Sequence, residues 1–286
     1  GRLVSVNYSL IGANGDTIEF DYSSYILNPD FLGFNIPPAQ VRIESSAGDG
    51  GVFRHAKRGV RNLDLPITIL GTDRADVQAK LRRLAKLTQN KAGPLKLRAN
   101  YSDGVSLELQ TYYTGGAEGQ WGTSAGMTFA KWALSLQAPA PYWTSLTSIS
   151  YVIGEEPTGR GLLPQLTKLK ISSNNILGVV TVNNLGDVPS FPKWTFMGPI
   201  TNLLVSNGTD SFTVPGTIDS GDTITVDTAT GEVYDQDNVN SYGILGDAPK
   251  LFALVPGLSQ ITITADDTEE STRVAFFYAP KFEVVH

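Results

Sequence analysis

The sequence predicts a mainly β protein: an N-terminal β-barrel- or sandwich-like domain with one α-helix, then a C-terminal jelly-roll β-sandwich. Three observations carry that prediction. Short runs of alternating apolar and polar residues recur along the chain, separated by Gly, Pro, Asn and Asp turn signals. One segment, Val77 to Leu87, shows the apolar stripe of an amphipathic helix. At 286 residues the chain is long enough for two domains that each bury a core. The Pro-rich stretch Ala138-Pro139-Ala140-Pro141 runs into Tyr142 and Trp143 and places the boundary, giving domains 1–141 and 142–286.

Taken in order, Val4 to Leu10 alternates as a half-buried strand, and Asn14-Gly15-Asp16 turns it into Thr17 to Phe20. The chain then runs to Pro37-Pro38 and enters a strand at Gln40 to Glu44. Ser45 to Gly51 is a flexible Gly/Ser stretch, and Val52 to Arg61 is basic within an acidic chain. That segment reads either as a solvated loop or long hairpin, or as a contact surface for an acidic partner or a neighbouring copy. Its candidate contact residues are Arg54, His55, Lys57, Arg58 and Arg61.

Leu63 to Leu70 reads as a core strand. The helix follows, with Thr72 or Asp73 as N-cap and Asp76 in the first turn. Val77, Leu81, Leu84 and Leu87 form its apolar stripe, and Lys91 to Pro94 ends it. Leu95 to Ala99 and Val105 to Leu109 make a second hairpin about Ser102-Asp103-Gly104. A Gly/aromatic loop over Tyr112–Gly116 and Gly119–Gly122 precedes a strand at Met127 to Gln137. Tyr142 and Trp143 are the boundary aromatics, and Ser145 to Pro164 reads as a loop or arm.

Beyond the boundary, strands are expected at Leu166–Ile171, Val179–Asn183, Trp194–Met197, Asn202–Ser206, Ser211–Val214, Thr223–Asp227, Leu251–Leu254, Gln260–Thr264 and Arg273–Tyr278. The stretch Asn184 to Pro199 turns at Gly186-Asp187 and passes Pro189 and Pro192, which marks a punctuated crossover between buried strands.

Composition removes several function classes. There is no cysteine, which excludes disulfide scaffolds, thiolate zinc sites and cysteine nucleophiles. A net charge of −6 argues against stable nucleic-acid binding, and no stretch approaches the about 20 consecutive apolar residues of a membrane-spanning helix, so no membrane insertion is expected. The two histidines, His55 and His286, lie in a loop and at the chain end, poor places for a catalytic relay. The acidic series Asp219, Asp222, Asp227, Asp235 and Asp237 raises calcium, but turn carboxylates bonding backbone N–H groups account for it more simply. No enzyme activity and no cofactor are expected. Sugar binding is raised by the four tryptophans, of which Trp143 and Trp194 read as core or interdomain residues.

An ordered motif series covers most of the chain: Leu81-Arg82-Arg83-Leu84…Gly93-Pro94-Leu95, Tyr101…Asp103-Gly104, and Tyr112-Tyr113-Thr114-Gly115-Gly116. It continues through Pro141-Tyr142-Trp143, Asn184-Leu185-Gly186-Asp187-Val188-Pro189, Gly221-Asp222-Thr223…Gly231-Glu232-Val233, and Pro256-Gly257…Ile261-Thr262-Ile263. In this series the chain resembles the distal tail proteins (Dit) of long, non-contractile tailed phages. The resemblance implies a ring-forming N-terminal domain with one helix and a galectin-like C-terminal sandwich on the outside of a hexameric ring. It also implies a location in the virion at the distal end of the tail, after assembly in the host cytoplasm. The partners so implied are further copies of the chain, the major tail tube protein, a tail tip or baseplate hub protein, the tape measure protein and side fibres. The alternatives are a carbohydrate-binding module of the tail tip and a tube-forming tail protein.

Overall fold

The computed structural model describes residues 5–119, 125–153, 176–269 and 271–285. The chain forms two compact units, residues 1–146 with 282–286 and residues 147–281. Each has its own hydrophobic cluster, and the fold is mainly β.

The first unit contains β1 (Val6–Ile11), β2 (Thr17–Glu19), β3 (Tyr25–Leu27), β4 (Ala39–Ser45), β5 (Gly51–Arg58), β6 (Arg61–Leu70), α1 (Arg74–Leu87), β7 (Leu95–Tyr101), β8 (Ser106–Gly115), β9 (Phe129–Ala138) and β10 (Trp143–Ser145). Its main sheet runs β2-β1-β7-β8-β9-β6-β3 and is nearly closed and barrel-like, with β10 beside β8. The long β6–β9 pairing, from Arg61↔Ala138 to Leu70↔Phe129, sets its register. The strict period-2 pattern of β6 puts Leu63, Leu65, Ile67 and Ile69 in the core.

The helix seals this core. Asp73 is the N-cap, its carboxylate accepting from the Asp76 backbone N–H at 2.9 Å. Val77, Leu84 and Leu87 are buried and Leu81 is partly so, as the stripe requires. Arg83 pairs with Asp16 at 2.6 Å, so one basic residue of the outer helix face ties the helix to the β1–β2 turn. That bond, made first through the Arg83 guanidinium, holds the Asp16 carboxyl below the usual carboxylate range.

The second unit contains β11 (Ile149–Ile153), β12 (Ile176–Asn184), β13 (Lys193–Met197), β14 (Ile200–Ser206), β15 (Ser211–Ile218), β16 (Thr223–Asp227), β17 (Val233–Asp235), β18 (Gly257–Asp266) and β19 (Arg273–Tyr278). They form two antiparallel sheets, β11-β19-β13-β16-β17 and β12-β18-β14-β15. Apolar residues from both sheets share one cluster, which makes the unit a β-sandwich. At its centre Trp194 lies 4.3 Å from the Phe276 ring in its own sheet and 6.2 Å from Phe212 in the other.

The crossover between the sheets is the segment Asn184–Pro199. Buried Asn184 donates through Nδ2 to Val188 O (3.1 Å) and Leu254 O (2.9 Å), while its Oδ1 accepts from Gly186 N (3.0 Å). Gly186 is required there, because a Cβ would lie 2.6 Å from Lys281 O. Trp194 and Phe196 then point into the core, with Thr195 between them only half-buried.

Several sequence expectations need correction. Part of the expected Ser145–Pro164 arm is strand β11, which pairs with β19 because Tyr151 and Ile153 alternate into the core. The start of the Gly/aromatic loop, Tyr112–Gly115, continues β8 and pairs with β9. Leu251–Leu254 is no strand but meets the crossover through one isolated Ser190↔Leu254 bridge. Strands β3 and β17, three residues each, were too short to show a period. The expected strand at Leu166–Ile171, residues 154–164 of the arm, and His286 lie outside the described residues.

Candidate partner-contact surface

The basic segment folds as a ribbon of two strands, β4 and β5, which among the described residues pair only with each other. Gly50, at φ +91°, makes the tip turn. The register couples Val41 to Ala56 and Ile43 to Phe53, so these four side chains share one face. Arg42, Glu44, His55 and Lys57 alternate onto the other. A bulge between the Arg42 and Ile43 positions leaves Arg54 as the extra residue. The ribbon is therefore amphipathic, with one apolar and one mainly charged face.

Among the described residues, neither face is covered. Val41, Ile43 and Phe53 are 54%, 64% and 61% exposed. A lone two-stranded ribbon is marginal in water at best, and contiguous exposed apolar side chains mark an interaction site. On the charged face, Glu44 accepts from Arg42 (3.1 Å) and Arg54 (2.7 Å), pairs too solvated to hold the ribbon by themselves.

Beside the ribbon base, a groove of about 380 Å³ with both polar and apolar surface is lined by the side chains of Tyr8, Phe31, Leu32, Phe34, Ile36 and Val285 together with Gly33 and Asn35. The aromatic rings pack edge to face or tilted, Tyr8 5.6 Å from Phe31 and 5.0 Å from Phe34. Burial, with Tyr101 adding a smaller effect, pushes the Tyr8 hydroxyl up to about 12. Leu32 and Ile36 stand open to solvent. Gly33 brings this segment against β6, since a Cβ there would lie 2.9 Å from the Leu63 Cα and its φ is +90°.

The five basic contact candidates separate into two groups. Arg54, His55 and Lys57 are exposed on the ribbon. Arg58 reaches back to Glu283 through two bonds of 2.8 and 2.9 Å. Arg61 is only 1% exposed and corrects its assignment to a contact surface. Its guanidinium donates to Pro141 O and Glu283 O (both 2.7 Å), to Gly33 O (2.5 Å) and to Asn35 O. Burial, opposed by nearby Glu283, lowers its pKa to about 10. Arg61 thus builds the backbone of the groove rather than touching a partner.

The boundary aromatics divide similarly. Trp143 is fully buried in the first unit's core, donating from Nε1 to Phe34 O at 3.3 Å, while Tyr142 is half-buried. The groove itself escaped sequence reasoning. Its only signal was the apolar run Phe31-Leu32-Gly33-Phe34-Asn35-Ile36 ending at Pro37-Pro38 without strand alternation.

The turn carboxylates behave as backbone caps. Asp227 accepts from Ala229 N (3.0 Å), and Asp235 accepts from Asp237 N and Val239 N (2.9 and 3.0 Å). Among the described residues, no group of three or more His, Asp or Glu side chains is placed to hold a metal ion.

The fold is shared with solved structures of known phage proteins. The SPP1 Dit protein (gp 19.1), described as a paradigm of the hub adsorption apparatus in phages infecting Gram-positive bacteria, aligns with a TM-score of 0.68 at 13% identity. That alignment covers 96% of this chain and 99% of the SPP1 protein. Two structures of the phage P2 baseplate in its activated conformation, one with Ca and one with Sr, each align with a TM-score of 0.52, at 10% and 9% identity. Both cover 98% of this chain and 100% of the matched one. No protein-family model and no curated protein matches the sequence.

Proposed function

We propose that this chain is a structural component of a phage tail, a distal hub at the junction between the tail tube and the tail tip or baseplate. The observation that carries the proposal is the amphipathic ribbon, uncovered on both faces by any described residue and beside a groove, in a chain that shares the SPP1 Dit fold over 96% of its length. In this reading the first unit closes into a six-membered ring, with the apolar ribbon face of one copy covered by the next. Such a contact joins two different patches, and head-to-tail contacts of this kind close into rings when the rotation allows.

The central opening of that ring passes the tape measure protein and DNA. Its neighbours are the tube protein on one side and a tip or baseplate protein, with side fibres, on the other. The net charge of −6 supports a channel through which DNA slides without sticking. The role asks for no chemistry from the chain, only surfaces.

Negative-stain microscopy and native mass spectrometry, without and with the tube protein, test the proposal. Closed rings are expected. The double substitution Ile43→Ser, Phe53→Ser, and separately Arg54→Glu with Lys57→Glu, should abolish them while each variant still melts like the parent. Monomers under every condition, or rings unaffected by the ribbon changes, would refute the reading.

A further inference from the structure

We propose that the second unit carries a binding pocket for a neutral saccharide, formed by the two loops that flank β17. It is independent of the hub reading and rests on a different surface.

The pocket measures about 400 Å³ and is lined by Glu232, Tyr234, Asn238, Asn240 and Tyr242, with Thr230, Gly231 and Val233 completing its wall. That size lies in the range of small-molecule sites. Its chemistry is mixed in a way that suits a sugar ring, which presents apolar C–H faces and a rim of hydroxyls. Tyr242 is 50% exposed and offers an aromatic face. A tyrosine combines an apolar body with a polar tip, so it serves both parts of such a ligand.

The polar groups are free to serve it. Among the described residues, the side chains of Glu232 and Asn238 make no hydrogen bond or ion pair, while Asn240 uses only its Oδ1, accepting from Tyr242 N at 3.0 Å. A carboxylate and carboxamides together accept from and donate to vicinal hydroxyls. A charged ligand fits less well. Among the described residues, no lysine or arginine lines the pocket, and Lys193, which approaches its Tyr234 wall, is already engaged. Lys193 lies 5.1 Å from the Tyr234 ring centroid and 3.7 Å from the Asp227 carboxylate. With Glu232 in the wall, a phosphate or uronate would be repelled.

The walls are also held in place before a ligand arrives. Gly231 N bonds Asp227 O, Ser241 N bonds Val233 O, and Asp235 N bonds Val239 O, at 2.8, 2.8 and 3.2 Å. Loops fixed in this way lose little freedom on binding. The structure moves the aromatic platform to a different residue type from the one composition suggested. Trp143 and Trp194 are buried, and the exposed ring at the pocket is that of Tyr242, with Tyr234 half-buried beside it.

The test uses the full chain on an array of neutral hexose and N-acetylhexosamine oligosaccharides, printed beside uronate and phosphorylated glycans, with calorimetry on any neutral sugar retained. Binding to neutral sugars is expected, weakened about tenfold or more by Tyr242→Ala and by Asn238→Ala, a loss of at least about 1.4 kcal/mol. Tyr242 is exposed, so Tyr242→Ala should leave the melting temperature in place. Asn238 stands at φ +58°, which strains alanine, so Asn238→Ala should lower it slightly and Asn238→Gly serves as its control. Glu232→Gln, which keeps the shape, should change affinity less. Silence across the array, selective retention of the anionic glycans, or neutral-sugar binding that Tyr242→Ala leaves intact would each overturn the proposal. Ring assembly would be untouched by any of these results.

Discussion

The ribbon over Ala39–Arg58 and the crossover over Asn184–Pro199 are made of similar ingredients and end as opposites. Both mix glycine, apolar residues and charge, and both are bounded or interrupted by proline. In the crossover, the inward groups are covered inside their own unit: Asn184 satisfies three backbone groups, and Trp194 and Phe196 fill the sandwich, although Trp194 Nε1 and Ser190 Oγ are buried with no hydrogen-bond partner among the described residues. In the ribbon, Val41, Ile43 and Phe53 stay more than half exposed, with only each other and Ala56 across the two strands. The difference is one of layers. The crossover joins two sheets that face each other, whereas the ribbon is a sheet of two strands whose apolar face no described residue covers. A segment that buries its apolar face within the chain stabilises the fold; one that leaves it open is built for something outside.

Perturbations of the two segments should therefore diverge, and the largest effect belongs to the crossover. Trp194→Ala removes the central ring of the aromatic cluster and should cost about 4 kcal/mol, measured by denaturant unfolding of the full chain. A loss below about 1 kcal/mol would mean that the sandwich core collapses around the gap far better than its packing suggests. Asn184→Ala should cost about 2 kcal/mol, because Val188 O, Leu254 O and Gly186 N all lose a buried partner. A smaller loss in Asn184→Asp than in Asn184→Ala would show the Gly186 bond to be the main one, since a carboxylate keeps the acceptor and not the donor.

The smallest effect on stability belongs to the ribbon. Ile43→Ser with Phe53→Ser should change the unfolding free energy by no more than about 0.5 kcal/mol, as for other exposed substitutions. Its consequence should appear only in assembly. A large loss of stability in the unassembled chain would erase the contrast, because it would mean that the ribbon is covered by its own unit.

Outside the two segments, the Asp16–Arg83 pair sets a modest acid sensitivity for the first unit. The folded state lowers the Asp16 pKa, so its contribution is present above the unfolded carboxylate value near 4 and is lost as pH falls through the lower folded value. Unfolding followed from pH 5 downward should show that loss diminished in Arg83→Gln, the two proteins converging as pH falls.

How much of this was legible beforehand follows from the range of the forces involved. Asp73 and Asp76 at the helix start, the Val77–Leu87 stripe and the Asn14–Asp16 turn act within a few residues and were readable directly. The ribbon's alternation was readable as well, but not that both its faces stay exposed. Arg58 and Arg61 show the limit most clearly. They sit in the same basic run as Arg54 and Lys57, yet Glu283, more than 200 positions away in sequence, takes up Arg58 and part of Arg61.

By itself, the sequence determined the β class, the single helix with its cap, the turns, and the inward face of Trp194 and Phe196, because periodicity and turn chemistry are local. It also excluded thiolate chemistry, since the chain has no cysteine. Only the tertiary structure decided which basic residues remain available, that Trp143 and Arg61 hold the segment over Gly33–Asn35, and that a groove and a tyrosine-lined pocket exist at all. Those features are made by residues far apart in the chain, and their chemistry depends on burial, which no local pattern encodes.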